Sequence, residues 1–265
     1  MGTTAIGTTD VQLGRATRRV GVHRRQRPRW VRWLLGFVAV VMAFMILAAV
    51  GLLAVILTSP SVSDAPQRVE SLLAEHDAPS ANGVIPAKLA AALLATEDSR
   101  FYGDPALDPR GVVRAAVGVV TSNGNDGGAT IEQQLAKMLY TPGTSLGAEM
   151  RQVGVAFRLD QHFSKNQILA MYLDAAYFGD GAYGITEAAV HYFGVTPGQL
   201  SWAQASLLAG LVQAPSKYDP HGHFSLARSR QAHVLSRLVA THRLTAAESA
   251  AAWNAPLEPA VPFFG

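Results

Sequence analysis

The stretch Leu94-Ala-Thr-Glu97-Asp98-Ser-Arg-Phe101-Tyr102, followed further on by Gly127-Gly128-Ala-Thr130-Ile-Glu132-Gln133-Gln134, decides how this chain is read. The first segment places an acidic pair at the end of an apolar helix pattern set by Leu89, Leu93 and Leu94. A carboxylate there is partly withdrawn from water, as a general base or acid requires. The second segment is a Gly-Gly turn feeding a helix that opens with polar side chains. Such a start offers free N–H groups and side-chain amides to an anion or a sugar. Two such segments so close in sequence read as one active site.

Outward from them the pattern stays helical. Ser164…Gln167, Ser201…Gln204 and Thr245…Glu248 are capping-box signatures, each heading an apolar-periodic run. Pro86 suits the first residue of a helix over Ala87–Thr96. No long alternating apolar/polar run marks a sheet, and no internal repeat occurs. The expected fold is mainly α, with at most a short hairpin. Thr121–Gly128 is a polar, Gly-rich loop after the apolar segment Gly111–Val120, which carries Arg114 and follows Arg110. A flap for an amphiphilic anionic substrate and an ordinary helix and loop both fit it.

Charge is unevenly placed. Residues 1–32 hold eight arginines against Asp10, a net of +7, while the whole chain is +3, so the remainder is −4. This argues against a basic nucleic-acid face on the folded part; an arginine-rich tail can bind nucleic acid, but its place beside an apolar run favours the membrane, and no nucleic-acid partner is expected. Trp33 to Leu57 is a run of 25 residues without a charge. As a helix at ~1.5 Å per residue it spans roughly 37 Å, against a hydrocarbon core of ~30 Å. Trp30 and Trp33 suit an interfacial anchor, and the arginines lie on the N-terminal side. The positive-inside rule then puts the N-terminus in the cytoplasm and the rest outside. A cleaved signal peptide usually has an apolar core of only ~7–15 residues, shorter than this run. The domains read as a cytoplasmic Arg-rich tail 1–32, with 1–14 disordered, a transmembrane helix 33–57, a linker 58–74, a catalytic domain 75–255 and a C-terminal tail 256–265. The chain has no cysteine, which excludes disulfides and thiol catalysis. The eight histidines show no metal-ligand spacing and receive no role from it. Tyr172, Tyr177, Phe178 and Phe193 read as core, and Asp174 and Asp180 as structural groups at a helix end and a turn.

With these blocks assembled, residues 75–255 resemble the family-51 glycosyltransferases, the peptidoglycan glycosyltransferase (transglycosylase) domain of penicillin-binding proteins and of monofunctional transglycosylases. Glu97-Asp98-Ser-Arg-Phe101 matches the first family block, and Gly127-Gly128-Ala129-Thr130-Ile131-Glu132-Gln133-Gln134, with Lys137, the second. Lys165-Asn-Gln-Ile168-Leu169-Ala-Met-Tyr172-Leu173-Asp174 matches the fourth, and Arg230-Gln231-Ala-His-Val234-Leu235 the fifth. Between them stand Tyr177-Phe178-Gly179-Asp180-Gly181-Ala182-Tyr183-Gly184-Ile185 and Leu207–Pro220. The order and spacing carry the resemblance more than any one block.

The resemblance implies a lysozyme-like α lobe with a small membrane-proximal jaw, and a single-pass plasma-membrane protein. It implies an inverting hexosyltransferase that polymerises lipid II onto a growing glycan strand and releases undecaprenyl pyrophosphate. Glu97 would be the general base. Asp98, Arg114, Thr130, Gln133, Gln134, Lys137 and Arg230 would bind substrate or hold the site together. The implied cofactor is a divalent cation, Mg²⁺ or Mn²⁺, with no organic cofactor. Implied partners are lipid II, the glycan strand, the cytoplasmic membrane, and a transpeptidase or other wall-synthesis protein. No Ser-x-x-Lys pattern occurs, so penicillin binding is not expected.

The third family block, Arg-Lys-x-x-Glu, is altered. Ungapped counting back from Ser164-Lys165 gives Ala148, Glu149 and Gln152, while counting from Arg151-Gln152 puts Val155 at the Glu. Asp104, Ala106, Ala129, Glu132, Asp174 and Gln231 also depart from the family pattern. Acids are gained where cations are lost, which weakens stabilisation of a departing pyrophosphate. Glu149, one turn before Gln152, or Glu132 is the candidate to restore the second carboxylate. Two readings follow: an active monofunctional glycosyltransferase, or a membrane-anchored pseudoenzyme that binds lipid II or scaffolds wall synthesis. A lysozyme-like hydrolase, which normally needs two spaced carboxylates, stands behind both.

Overall fold

The computed structural model describes residues 1–2, 29–104, 129–260 and 263. Most of the arginine-rich tail and the segment holding Arg114, Gly127 and Gly128 lie outside the described residues. The fold is mainly α, as expected. Among the described residues the sole β pairing is an isolated antiparallel bridge between Tyr177 and Tyr183, where at most a hairpin was expected.

The chain divides into two compact units, residues 1–48 and 49–265. Helix α1 (Arg29–Thr58) runs through the first unit into the second. In the first unit its apolar side chains, among them Leu34, Phe37, Phe44 and Leu47, are exposed. From Trp33 to Thr58 this helix is long and apolar enough to cross a membrane, with a mean hydropathy of 3.0.

The second unit holds α2 (Ala65–Glu75), α3 (Ala87–Glu97), α4 (Ile131–Leu139), α5 (Leu146–His162), α6 (Lys165–Ala175) and α7 (Gly184–Phe193). A 3₁₀ turn (Pro197–Gln199) leads to α8 (Trp202–Leu211), α9 (Pro215–Tyr218), α10 (Pro220–Ala240) and α11 (Ala246–Asn254). Local chemistry starts these helices where the sequence indicates. The Ser164–Gln167, Ser201–Gln204 and Thr245–Glu248 capping boxes are all formed. Each satisfies orphan N–H groups and contributes about 0.5–2 kcal/mol through its cap. Pro86 is the cap itself, one position before the place expected for it. At the other end of α1, the Arg158 guanidinium donates to Ile56 O at 3.0 and 3.1 Å and so satisfies a terminal carbonyl. Gly154 lets α5 approach that end closely, since a Cβ there would lie 2.2 Å from Ser59 Oγ.

Two groups of helices pack on one core. Helix α10 lies on α8 and α3, and α3 lies on α8; helix α4 lies on α5 and α6, and α2 and α7 lie on α6. Leu89, Leu93, Ile131, Leu135, Leu159, Ile168, Leu169 and Leu173 are fully buried between them. Each stabilises the fold by about 1.5–3 kcal/mol relative to exposure. Gly184 opens α7 at φ +73°, and a Cβ there would sit 3.0 Å from Asp174 O, so both backbone and space call for glycine. Asp174, at the end of α6, accepts from Ser80 Oγ at 2.7 Å and Ala81 N at 2.9 Å. It pins the 78–85 connection, a structural role of the kind its position suggested.

Candidate active site

Glu97 is the last residue of α3, where side chains of α4 and α10 reach it. Its side chain is 14% exposed. Oε1 accepts from Arg230 Nη2 of α10 at 3.3 Å, and Oε2 accepts from Gln134 Nε2 of α4 at 3.3 Å. Both partners donate, an arrangement suited to an ionised carboxylate. Gln134 Nε2 also donates to Ala129 O at 3.1 Å. Tyr172 of α6 donates its hydroxyl to Gln134 Oε1 at 2.8 Å. Because Glu97 only accepts, the amide must turn its Nε2 toward Glu97, and the Tyr172 hydroxyl fixes that orientation. Burial, with the Glu97 charge second, pushes the Tyr172 phenol well above its ordinary range, so it stays a donor.

Tyr172 was read from sequence as core. It is fully buried, yet its hydroxyl belongs to the Glu97 network. The available signal is that a buried tyrosine needs a partner for its O–H. Arg230 packs with Cγ 3.0 Å from where a Cβ on Gly210 of α8 would stand. Its Nε is buried without an acceptor among the described residues, so packing and one contact to Glu97 hold it.

Asp98 does not join Glu97 in this network. It accepts from Ile131 N at 3.4 Å, at the start of α4. Burial, offset by that N–H, pushes its carboxyl above the usual carboxylate range, and the charge of Glu132 adds to the rise. Thr130 caps α4 by accepting from Gln133 N at 3.3 Å. Lys137 is exposed one turn beyond Gln134 and has no ion-pair partner among the described residues. Arg114 lies outside them.

The candidates for a second carboxylate are placed elsewhere. Gln152 is buried, and its Nε2 donates to Thr141 O at 3.0 Å and Gly143 O at 3.1 Å. It holds the connection between α4 and α5. Glu149 is exposed in the first turn of α5. Glu132 is buried against Lys165, which also binds Asp160 Oδ1 at 2.8 Å and Asp104 O at 3.1 Å. Burial opposes the Lys165 charge, but these acceptors outweigh it and hold its pKa above the ordinary value. These placements bear on the expectation that Glu132 or Glu149 restores the second carboxylate. Glu132 is committed to a buried ion pair, and neither residue contacts Glu97. Among the described residues, both oxygens of Glu97 are taken by Arg230 and Gln134, and Asp98 is taken by Ile131 N, so this pair offers a Mg²⁺ or Mn²⁺ ion no open set of oxygens.

A family model described as Transglycosylase matches residues 65–239. The "Putative transglycosylase H16_A0665" of Cupriavidus necator is 36% identical over 176 residues, 66% of this chain and 76% of that protein. Penicillin-binding protein 1A of Escherichia coli is 40% identical over 157 residues, 58% of this chain and 18% of the relative. Penicillin-binding protein 1A of Aquifex aeolicus is 39% identical over 176 residues, 65% of this chain and 24% of the relative. The chain thus spans about a fifth of these penicillin-binding proteins and three quarters of the first relative. Since the matched segment contains Glu97, Gln134, Tyr172 and Arg230, the chain belongs to the transglycosylase family.

Proposed function

We propose that this chain is a peptidoglycan glycosyltransferase that polymerises lipid II into glycan strands. The observation that carries the reading is the Glu97 carboxylate, mostly buried and held on each oxygen by a donor from a different helix. Glu97 takes the proton from the acceptor's sugar 4-hydroxyl. That oxygen attacks the anomeric carbon of the donor sugar with inversion, the bond to pyrophosphate breaks, and undecaprenyl pyrophosphate leaves with the electron pair. Gln134, oriented by Tyr172, keeps Glu97 aimed. Lys137 is the described cation with a free side chain on the same face of α4 as Gln134, one turn on, and would meet the pyrophosphate. Arg114 would add a second such contact. No step is routed through a metal ion. The exposed apolar helix Trp33–Thr58 and the arginines before it support a single-pass anchor with a cytoplasmic N-terminus. The membrane would then present lipid II directly, and a transpeptidase would be the natural partner for cross-linking the product.

Gln152 favours a second reading. An amide bound to two carbonyls occupies the position where ungapped counting places the family's second carboxylate. A protein that binds lipid II or nascent glycan without polymerising it fits that feature. The deciding experiment is lipid II polymerisation by detergent-purified full-length protein beside Glu97→Gln. Glycan chains from the parent, reduced by about 10²–10⁴ in the variant, support the enzyme with Glu97 as base. Full activity in Glu97→Gln removes that assignment. Lipid II binding without chains from the parent moves the conclusion to the second reading.

A further inference from the structure

We infer that Asp180, His191 and His221 form a binding site for one divalent transition-metal ion of the zinc class. The three residues come from separate elements: the turn between α6 and α7, the last turn of α7, and the first turn of α10. Asp180 Oδ2 lies 2.9 Å from His191 Nε2 and 3.0 Å from His221 Nδ1. One ligand atom from each residue falls within 4.8 Å of the others. Tetrahedral bonds of about 2.0 Å to zinc place ligand atoms roughly 3.3 Å apart. The two separations from Asp180 already lie within tenths of an ångström of that value, and the two ring nitrogens lie within 4.8 Å of each other.

The donor set selects the metal. Two imidazoles and one carboxylate suit Zn²⁺, Co²⁺ or Ni²⁺ and not the all-oxygen preference of Mg²⁺ or Ca²⁺. Spacing along the chain could not show the cluster, because each ligand waits on a different helix junction. Asp180 is 46% exposed, His191 30% and His221 19%, which leaves an entry path and a coordination position for water. The backbone holds the ligands ready. Asp180 takes a left-handed conformation, φ +47°, between Gly179 and Gly181. The turn is closed by Phe178 N to Ala182 O at 2.9 Å and Ala182 N to Gly179 O at 2.8 Å. The His221 ring stacks on Tyr192 at 5.4 Å, and its backbone N donates to Asp219 Oδ1 at 3.1 Å. A bound ion would tie the turn and α7 to the start of α10, the helix that carries Arg230. The site shares no residue with the Glu97 network, so it stands whether or not the glycosyltransferase reading holds.

The test uses full-length protein in detergent, with any affinity tag of histidines removed and metal stripped by a chelator. Co²⁺ and Zn²⁺ are then titrated separately. The expected result is one equivalent of Co²⁺ with visible d–d absorption, displaced by Zn²⁺, and a higher melting temperature with either ion. Asp180→Asn, which tolerates the left-handed backbone, and His191→Gln should each weaken Co²⁺ binding by roughly 10–100-fold or more. Both should melt like the parent in the presence of chelator. Absence of a single saturable site in the parent overturns the proposal, as does unchanged affinity in both variants. Should a variant fail to fold, X-ray absorption on the zinc-loaded parent decides: two imidazole ligands at about 2.0 Å support the site, and any other shell overturns it.

Discussion

Counting along the third family block makes Gln152→Glu a restoring change that should raise polymerisation. The hydrogen bonds of Gln152 argue for the opposite outcome. Gln152 Nε2 donates to Thr141 O and Gly143 O from a buried position. A glutamate there removes both donors and sets an acceptor against two carbonyl oxygens. Two lost hydrogen bonds cost about 1–3 kcal/mol, and the strandable carbonyls bring the total to the order of 3 kcal/mol. For a unit of this size that lowers the melting temperature by about 6–12 °C. The introduced carboxyl gains by keeping a proton, which lets it donate to one carbonyl, so its folded-state pKa lies above the unfolded value near about 4.3. The variant's deficit is then smallest below that unfolded value and grows as pH rises through the folded one. Differential scanning fluorimetry of parent and variant in detergent between acid and neutral pH reads this directly, with lipid II turnover measured alongside. A variant that melts like the parent at neutral pH and polymerises faster would refute the placement of Gln152.

Three further outcomes test the Glu97 network and its surroundings. Tyr172→Phe leaves Gln134 Oε1 without its donor and should cost about 1–2 kcal/mol of orientation, or five- to thirty-fold in turnover, with KM little changed; unaltered turnover would exclude the positioning role. Gly210→Ala sets a methyl 3.0 Å from Arg230 Cγ, which must then move by tenths of an ångström away from an already long contact to Glu97. Polymerisation should fall while overpacking lowers stability by no more than about 1–3 kcal/mol, and full activity would show that Arg230 is not held this way. Lys165→Met strands the buried Glu132 and should destabilise by about 3–5 kcal/mol in chemical denaturation, with recovery on adding Glu132→Thr. Equal stability of the single variant and the parent would mean that the pair is not buried as described.

Much of the fold was open to reading from sequence because its signals are local. A capping box is complete within four residues, so Ser164, Ser201 and Thr245 announced their helices without help from the rest of the chain. The apolar run of α1 is equally local. The site was legible only as far as residues near Glu97 and Gln134 in the family blocks. Tyr172 looks like any other core aromatic until α6 brings its hydroxyl to Gln134, a partner 38 positions away. The histidines failed for the same reason. His191 and His221 are 30 positions apart, and only the packing of α7 against the start of α10 brings both rings to Asp180. Local rules see capping and periodicity; they do not see which side chains two packed helices bring face to face.

That distinction also changes the meaning of the departures from the family pattern. Read along the chain, Glu132, Asp174 and Gln231 belong with Glu149 and Gln152 as one erosion of a pyrophosphate site. In the fold they separate. Glu132 is neutralised by Lys165, and Asp174 anchors Ser80 and Ala81. Gln231 is fully buried, donating to Ala203 O at 2.8 Å and Ser206 Oγ at 3.1 Å while accepting from Arg228 at 2.6 Å. An arginine there would bring a charge into the α8–α10 contact, where Gln231 has no exposure at all. These three side chains are each held by local partners, although the Glu132 charge still adds to the rise at Asp98, beside Glu97. What bears on the chemistry is narrower: Ala148 and Glu149 where the block has a basic pair, and Gln152 where it has an acid. Under the proposed glycosyltransferase reading, a donor on each oxygen holds Glu97 as an acceptor for the incoming proton, and Lys137 and Arg114 are the cations assigned to the leaving pyrophosphate. On that reading, removing Lys137 or Arg114 should reduce turnover far more than any change at Glu132 or Gln231.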